Sequence, residues 1–128
     1  MDLSKLLIDF LEYLELERNV SKLTIRNYKH YLERFLAFLG ANSPTPASIT
    51  PEKIREYRLF LSRFADARDM TLKRVTQNYH LIALRSFLKF LIKRGIRAVS
   101  PEMVELGKAE SRSILFLERD AVERLLNM

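Results

Sequence analysis

Cysteine and tryptophan are both missing from the 128 residues, and glycine occurs only at Gly40, Gly95 and Gly107. Without cysteine there can be no disulfide and no thiolate metal ligand, so a reducing compartment is the default. Three isolated glycines leave no glycine-rich loop to cradle a phosphate. No run approaches the roughly 18 uninterrupted apolar residues of a membrane-spanning helix. The opening MDLSKLLIDFLEYLELE is acidic where a secretory signal would be basic. A cytoplasmic location and no membrane partner are therefore expected. Alternation with a period of two is also missing, which argues against half-buried strands. The most informative gap is one of charge sign: Thr71 to Arg97 holds no Asp or Glu, although the chain carries 16.

What is present fits one compact domain with a short extension into a second, since 48% of the residues are hydrophobic. The formal charge is +6, and its distribution says more than its sum. Asp2, Asp9, Glu12, Glu15 and Glu17 outnumber Lys5 and Arg18 at the start, whereas Lys73, Arg74, Arg85, Lys89, Lys93, Arg94 and Arg97 crowd the acid-free stretch. One face should be acidic and another basic, as a protein with a polyanionic partner would have it.

Apolar residues recur at helical spacing almost throughout, so the fold class is all-α. A first helix is expected from Leu3 to Arg18, with Leu3, Leu7, Phe10, Leu11 and Leu14 inward. A second starts after Ser21, a favourable N-cap, and ends at Gly40, where a residue without Cβ can turn left-handed. After the Pro- and Ser-rich ANSPTPASITPEK, the triplet Thr50-Pro51-Glu52 supplies a cap, a preorganised first-turn proline and an acid for a third helix to about Phe64. A fourth runs from between Thr71 and Thr76 to Gly95. Ser100-Pro101-Glu102 opens a short helical turn, and FLERDAVERLLNM begins another amphipathic helix. The domain expectation is a helical domain over residues 1–98, a linker over 99–113, and the first helix of a further domain over 114–128.

The sequence repeats itself. A shift of 52 residues lays VSKLTIRNYKHYLERFLAFL over LKRVTQNYHLIALRSFLKFL, matching Thr24 to Thr76, Leu32 to Leu84, Phe35 to Phe87 and Leu39 to Leu91. Shared amphipathic patterning accounts for the Leu and Phe matches. It does not account for Lys22, Lys73 and Arg74 at the two helix starts, where the helix dipole makes cations unfavourable. A bound phosphate would reverse that sign.

Projection at about 100° per residue puts Val75, Tyr79, Ile82, Ala83, Phe87, Phe90 and Leu91 on the buried side of the fourth helix. Arg74, Gln77, Asn78, Leu81 and Arg85 fall opposite. On the second helix Ile25, Tyr28, Leu32, Phe35, Leu36 and Leu39 are buried, with Arg26, Asn27, His30 and Arg34 outward. Arg suits guanine, Asn and Gln suit adenine, and an apolar side chain such as Leu81 suits a thymine methyl. Other uses compete: Thr24 and Thr76 can brace a first turn, Arg34 and Arg85 can pair with Glu33 or with acids of the first helix, and Lys89, Lys93 and Arg94 can form a solvated C-terminal cluster. His30 and His80 read as surface or boundary residues, and two distant histidines make a poor metal site. The five tyrosines sit on or beside core faces. No nucleophile has a base nearby in sequence, so no catalytic residue, cofactor or metal is expected.

SKLTIRNYKHYLERFLAFLG, the Thr50-Pro51 helix, TQNYHLIALRSFLKFLIKRG and the trailing SPEMVEL and FLERDAVERLL resemble, in order and spacing, the N-terminal core-binding domain of the tyrosine recombinases, the Xer and phage integrase family. The resemblance covers nearly the whole chain. It implies a SAM-like bundle of four main helices forming half of a C-shaped clamp on duplex DNA, with the second and fourth helices toward the major groove. By similarity Thr24, Arg26, Asn27, Lys73, Arg74, Thr76, Gln77, Asn78 and Arg85 are the DNA contacts, with Lys22 added from its position at a helix start. In that family the chemistry belongs to a second domain bearing an Arg, a Lys, a His-x-x-Arg pair and a tyrosine nucleophile. Here His30 is followed three places on by Glu33, and His80 by Ala83. The resemblance thus implies a sequence-specific DNA-binding piece of a site-specific recombinase that cleaves nothing itself. Its partners would be double-stranded DNA, a catalytic domain of the same parent chain and other protomers on DNA. A helical protein-interaction domain that meets an acidic partner is the alternative.

Overall fold

Periodicity and capping chemistry both predict helices, and the computed structural model, which describes residues 2–40 and 44–107, has four long ones: α1 (Leu3–Leu16), α2 (Lys22–Leu39), α3 (Pro51–Arg63) and α4 (Arg74–Lys93). Single 3₁₀ turns lie at Pro46–Ser48 and Pro101–Met103. Extended pairing among the described residues is limited to one isolated bridge between Ala65 and Thr71. The fold is therefore all-helical, as expected of a SAM-like bundle. The helix anticipated at 114–128 lies outside the described residues.

Local chemistry fixes the boundaries. Asp2 accepts from the Ser4 amide at 3.0 Å, Ser21 from Thr24 at 3.2 Å and Thr50 from Lys53 at 3.1 Å, each satisfying an orphan donor of a first turn. Gly40 closes α2 at φ +66°, a conformation that costs an L-residue a Cβ clash. α1 stops two residues earlier than its pattern suggests. Asn19 takes φ +52°, which Asn tolerates better than most residues, and the Val20 amide turns back to donate to the Leu14 carbonyl at 3.1 Å.

α4 is the central element and packs on α1, α2, α3 and the 101–103 turn. Ala83, Leu84, Phe87, Leu88 and Leu91 are wholly inaccessible. Phe10 of α1 meets Phe87 and Phe90 at ring-centroid distances of 5.4 and 5.3 Å, while Tyr57 of α3 meets Phe35 of α2 edge-on at 4.8 Å. Full burial of each such side chain contributes about 1.5–3 kcal/mol. An ion pair and a hydrogen bond link the end of α4 to α1: Arg94 reaches Asp9 at 3.9 Å, and Lys93 donates to the Tyr13 hydroxyl at 3.2 Å. Both cations stay exposed, as expected of a solvated C-terminal cluster, while also reaching α1.

Candidate nucleic-acid interface

The opening turns of α2 and α4 lie in adjacent elements and carry exposed cations without acid. Neither helix has Asp or Glu in its first turn, whereas α3 has Glu52. Lys22, Arg26, Asn27, Lys73 and Arg74 are exposed, and Thr24, Thr76 and Gln77 are half-buried. Ser21 caps α2, and its hydroxyl also lies 3.0 Å from that of Thr24. α4 begins at Lys73 with no side-chain cap, unlike the other three long helices, so free N–H groups and a positive dipole end coincide with Lys73 and Arg74. Asp9 and Glu12 of α1, with Glu17 at its C-cap, gather beside Lys93 and Arg94 at the far end of α4, which itself contains no acid. Glu33, the one acid of α2, sits 3.8 Å from Lys29.

Between the helices runs a furrow. Thr24, Asn27, Tyr28 and Tyr31 of α2 face Tyr79 and Ile82 of α4 across a depression of about 400 Å³. A second depression shares Thr24 and Tyr28 and continues past Ser86, Lys89 and Lys93 to Arg18. The face is thus polar and aromatic in the middle and basic toward its ends.

The face of α4 differs from the helical projection. Asn78 and Leu81 are buried, at 8% and 3% exposure, while Val75 and Tyr79 stand out at 42% and 49%. The reason is that α4 is covered on more than one side. Residues 100–107 fold across its Asn78, Leu81 and Arg85 side and are clipped there. The Asn78 amide donates to the Gly107 carbonyl and accepts from the Gly107 amide, both at 2.9 Å, and Arg85 donates to the Val104 carbonyl at 2.6 Å. Arg58 adds an ion pair to Glu105 at 3.6 Å. Gly107 allows the close approach, since a Cβ there would lie 3.0 Å from Cδ of Arg74. Gln77 donates back to the Leu72 carbonyl at 3.0 Å. Asn78 is thus satisfied on both sides by the main chain, whereas Gln77 and Arg85 each commit one donor to a carbonyl, and Nε of Arg85 is buried without a hydrogen-bond partner. Leu81, the candidate for a thymine methyl, is core.

His80 was expected at the boundary and is instead 1% exposed. Its Nδ1 meets the Thr76 carbonyl at 2.8 Å and its Nε2 meets Nη1 of Arg34 at 2.9 Å. A guanidinium can only donate, so Nε2 accepts and Nδ1 carries the proton. Burial pushes the imidazole down to about 4, and Arg34 and His30 push the same way against the Thr76 hydrogen bond. Arg34 also lies over the Phe64 ring at 4.4 Å, joining α2 to α4 and to the end of α3. It pairs with none of the acids suggested for it. The sequence signal for the exposed residues was the repeat: the 52-residue shift that aligns Thr24 with Thr76 also aligns the outward Asn27 with Tyr79.

Among the described residues no group of three His, Asp or Glu could hold a metal ion, and no helix is long and apolar enough to cross a membrane. Residues 7–95 match the family described as phage integrase, N-terminal SAM-like domain. The chain is 35% identical over 123 residues to tyrosine recombinase XerC of Bacillus subtilis strain 168, which covers 93% of the chain and 38% of that protein. It is 30% identical over 123 residues to tyrosine recombinase XerD of Oceanobacillus iheyensis, covering 94% and 39%, and 33% identical over 91 residues to XerC of Haemophilus influenzae Rd, covering 70% and 29%. The chain thus spans well under half the length of these relatives. No solved structure matches it significantly. With four helices in the order its sequence predicts and a family match across most of its length, the chain belongs to the phage integrase family of tyrosine recombinases, as an N-terminal SAM-like domain.

Proposed function

We infer that this domain binds duplex DNA through the openings of α2 and α4, as the DNA-gripping part of a site-specific recombinase whose strand chemistry resides in a separate catalytic region. Lys22, Arg26, Lys73 and Arg74 meet phosphates, with Thr24 and Thr76 at the same two helix starts. Asn27 reaches toward base edges. Asn78 and Arg85 act one step back: they hold residues 100–107 against α4 and so set where the chain leaves the domain, while Gln77 bonds the Leu72 carbonyl just ahead of α4. Further protomers and the catalytic region of the parent chain are its partners on DNA.

The observation that carries this reading is the cost the sequence accepts at the two helix starts. Cations at a helix N-terminus oppose the dipole by about 0.3–1 kcal/mol each. Lys22 opens α2, and Lys73 and Arg74 open α4, with no first-turn acid to compensate. A polyanion held there turns the unfavourable arrangement into a favourable one. An acidic protein partner would be attracted too, but it would release few condensed counterions.

Salt dependence separates the two. Fluorescence anisotropy with a labelled duplex, titrated at several salt concentrations, should give a log–log slope of about −3 to −5, at about 0.9 for each phosphate met. Binding that is flat in salt contradicts the DNA reading.

A further inference from the structure

Core packing leaves three apolar side chains of the α2 and α4 openings unexplained. Leu23 is 58% exposed, Val75 42% and Tyr79 49%. Single exposed apolar residues are ordinary, but these share a register. The 52-residue shift carries Leu23 onto Val75 and Asn27 onto Tyr79, so each helix opens with a cation, an exposed apolar residue and a threonine: Lys22-Leu23-Thr24 and Arg74-Val75-Thr76. Leu23 lies one turn before Asn27, and Val75 one turn before Tyr79, which places each pair on one side of its helix. Asn27 and Tyr79 both line the furrow between the helices.

The surroundings restrict what these side chains can meet. Lys22, Arg26 and Lys73 are exposed around them, and Glu33, the single acid on the two helices, sits beside Lys29. An apolar protein surface would gain nothing from that ring of cations. A DNA major groove offers a phosphate rim and, within it, an alkyl group at each A·T pair: the C5 methyl of thymine. We propose that Leu23, Val75 and Tyr79 read thymine methyl groups in the major groove and bias the domain toward A·T-rich sites. The role suggested in sequence by Leu81, which is buried, passes to Leu23 and Val75, each directly before a threonine, and to Tyr79, about one turn after Thr76. This inference rests on the reading that the α2–α4 face meets duplex DNA, and it adds the chemistry by which that face discriminates.

The test compares alternating poly(dA-dT) with poly(dA-dU) of equal length at one salt concentration, using the 128-residue chain. The two polymers share phosphates and hydrogen-bonding edges and differ in the methyl. Affinity should fall about three- to fivefold for each buried methyl removed. Replacing cytosine by 5-methylcytosine in poly(dG-dC) restores a methyl in the groove and should tighten binding by a similar factor. The Leu23→Ser, Val75→Ser, Tyr79→Ser triple variant, with its helicity checked by circular dichroism, should bind the dT and dU polymers equally. Equal affinity of the unaltered chain for both polymers, with a steep salt slope, would overturn methyl reading and leave the DNA interface standing. Loss of any salt-dependent binding would overturn both. A triple variant that still discriminates would remove these three residues from the role.

Discussion

Reversing the charge of Lys22, Arg26 and Lys73 together, as Lys22→Glu, Arg26→Glu and Lys73→Glu, is expected to weaken duplex binding by at least roughly 100-fold at low salt and to flatten the salt slope by about 2 to 3. The same variant should fold at least as well as the original. All three side chains are exposed, where substitutions typically change stability by about 0.5 kcal/mol or less. Two of them stand at helix starts, where glutamate suits the dipole by about 0.3–1 kcal/mol. An unchanged or raised thermal midpoint beside collapsed DNA affinity is the signature of a surface shaped for a polyanion. A variant that binds as before would show that this face is not the one in contact.

The second large effect is on stability and comes from His80. The imidazole is held neutral between Thr76 and Arg34, with its folded pKa lowered to about 4 from 6.5, chiefly by burial. In the unfolded chain it protonates near 6.5. Between these values the unfolded state binds more protons, so stability is complete above about 6.5 and declines as pH falls toward 4. The full difference is about 3 kcal/mol, of which about 2 kcal/mol should be lost between pH 7 and pH 5. Urea denaturation at the two pH values measures it. His80→Gln, which cannot titrate, should be less stable at pH 7 yet lose far less on acidification. Equal losses in the two proteins would dissociate His80 from the pH dependence. Because the Arg34–His80 contact bridges α2 and α4, acidification should also loosen the geometry of the furrow before the domain unfolds globally.

Helix existence, the capped starts at Ser21 and Thr50 and the left-handed end of α2 were legible in sequence because they depend on residues within a few positions of one another. Thr50 needs only Pro51 and the Lys53 amide, and Gly40 only its own missing Cβ. The orientation of α4 was harder to read for the opposite reason. Its Asn78, Leu81 and Arg85 side is covered by residues 100–107, up to 29 positions away in sequence for the Asn78–Gly107 pair, and a helical projection knows of only one core. The burial of His80 likewise depends on Arg34, 46 positions distant. Of the proposed contacts, those at the very start of each helix, Lys22, Arg26, Asn27, Lys73 and Arg74, remain outward. Asn78 and Arg85, farther along α4, were drawn inward by an element whose course the periodicity did not reveal. The internal repeat pairs exposed with exposed positions at the helix openings, Lys22 with Arg74, Leu23 with Val75 and Asn27 with Tyr79, but it lays exposed Arg26 and Lys29 on buried Asn78 and Leu81, where residues 100–107 cover α4 alone.

The most direct measurement is a nuclear magnetic resonance titration of the isotopically labelled chain with a short duplex, following each backbone amide. The account predicts shifts concentrated at residues 22–27 and 73–79, with the outer face of α1 and the clipped residues 104–107 nearly still. Shifts centred on α1 or α3, or on Asn78 and Gly107 with the two helix openings unmoved, would contradict it.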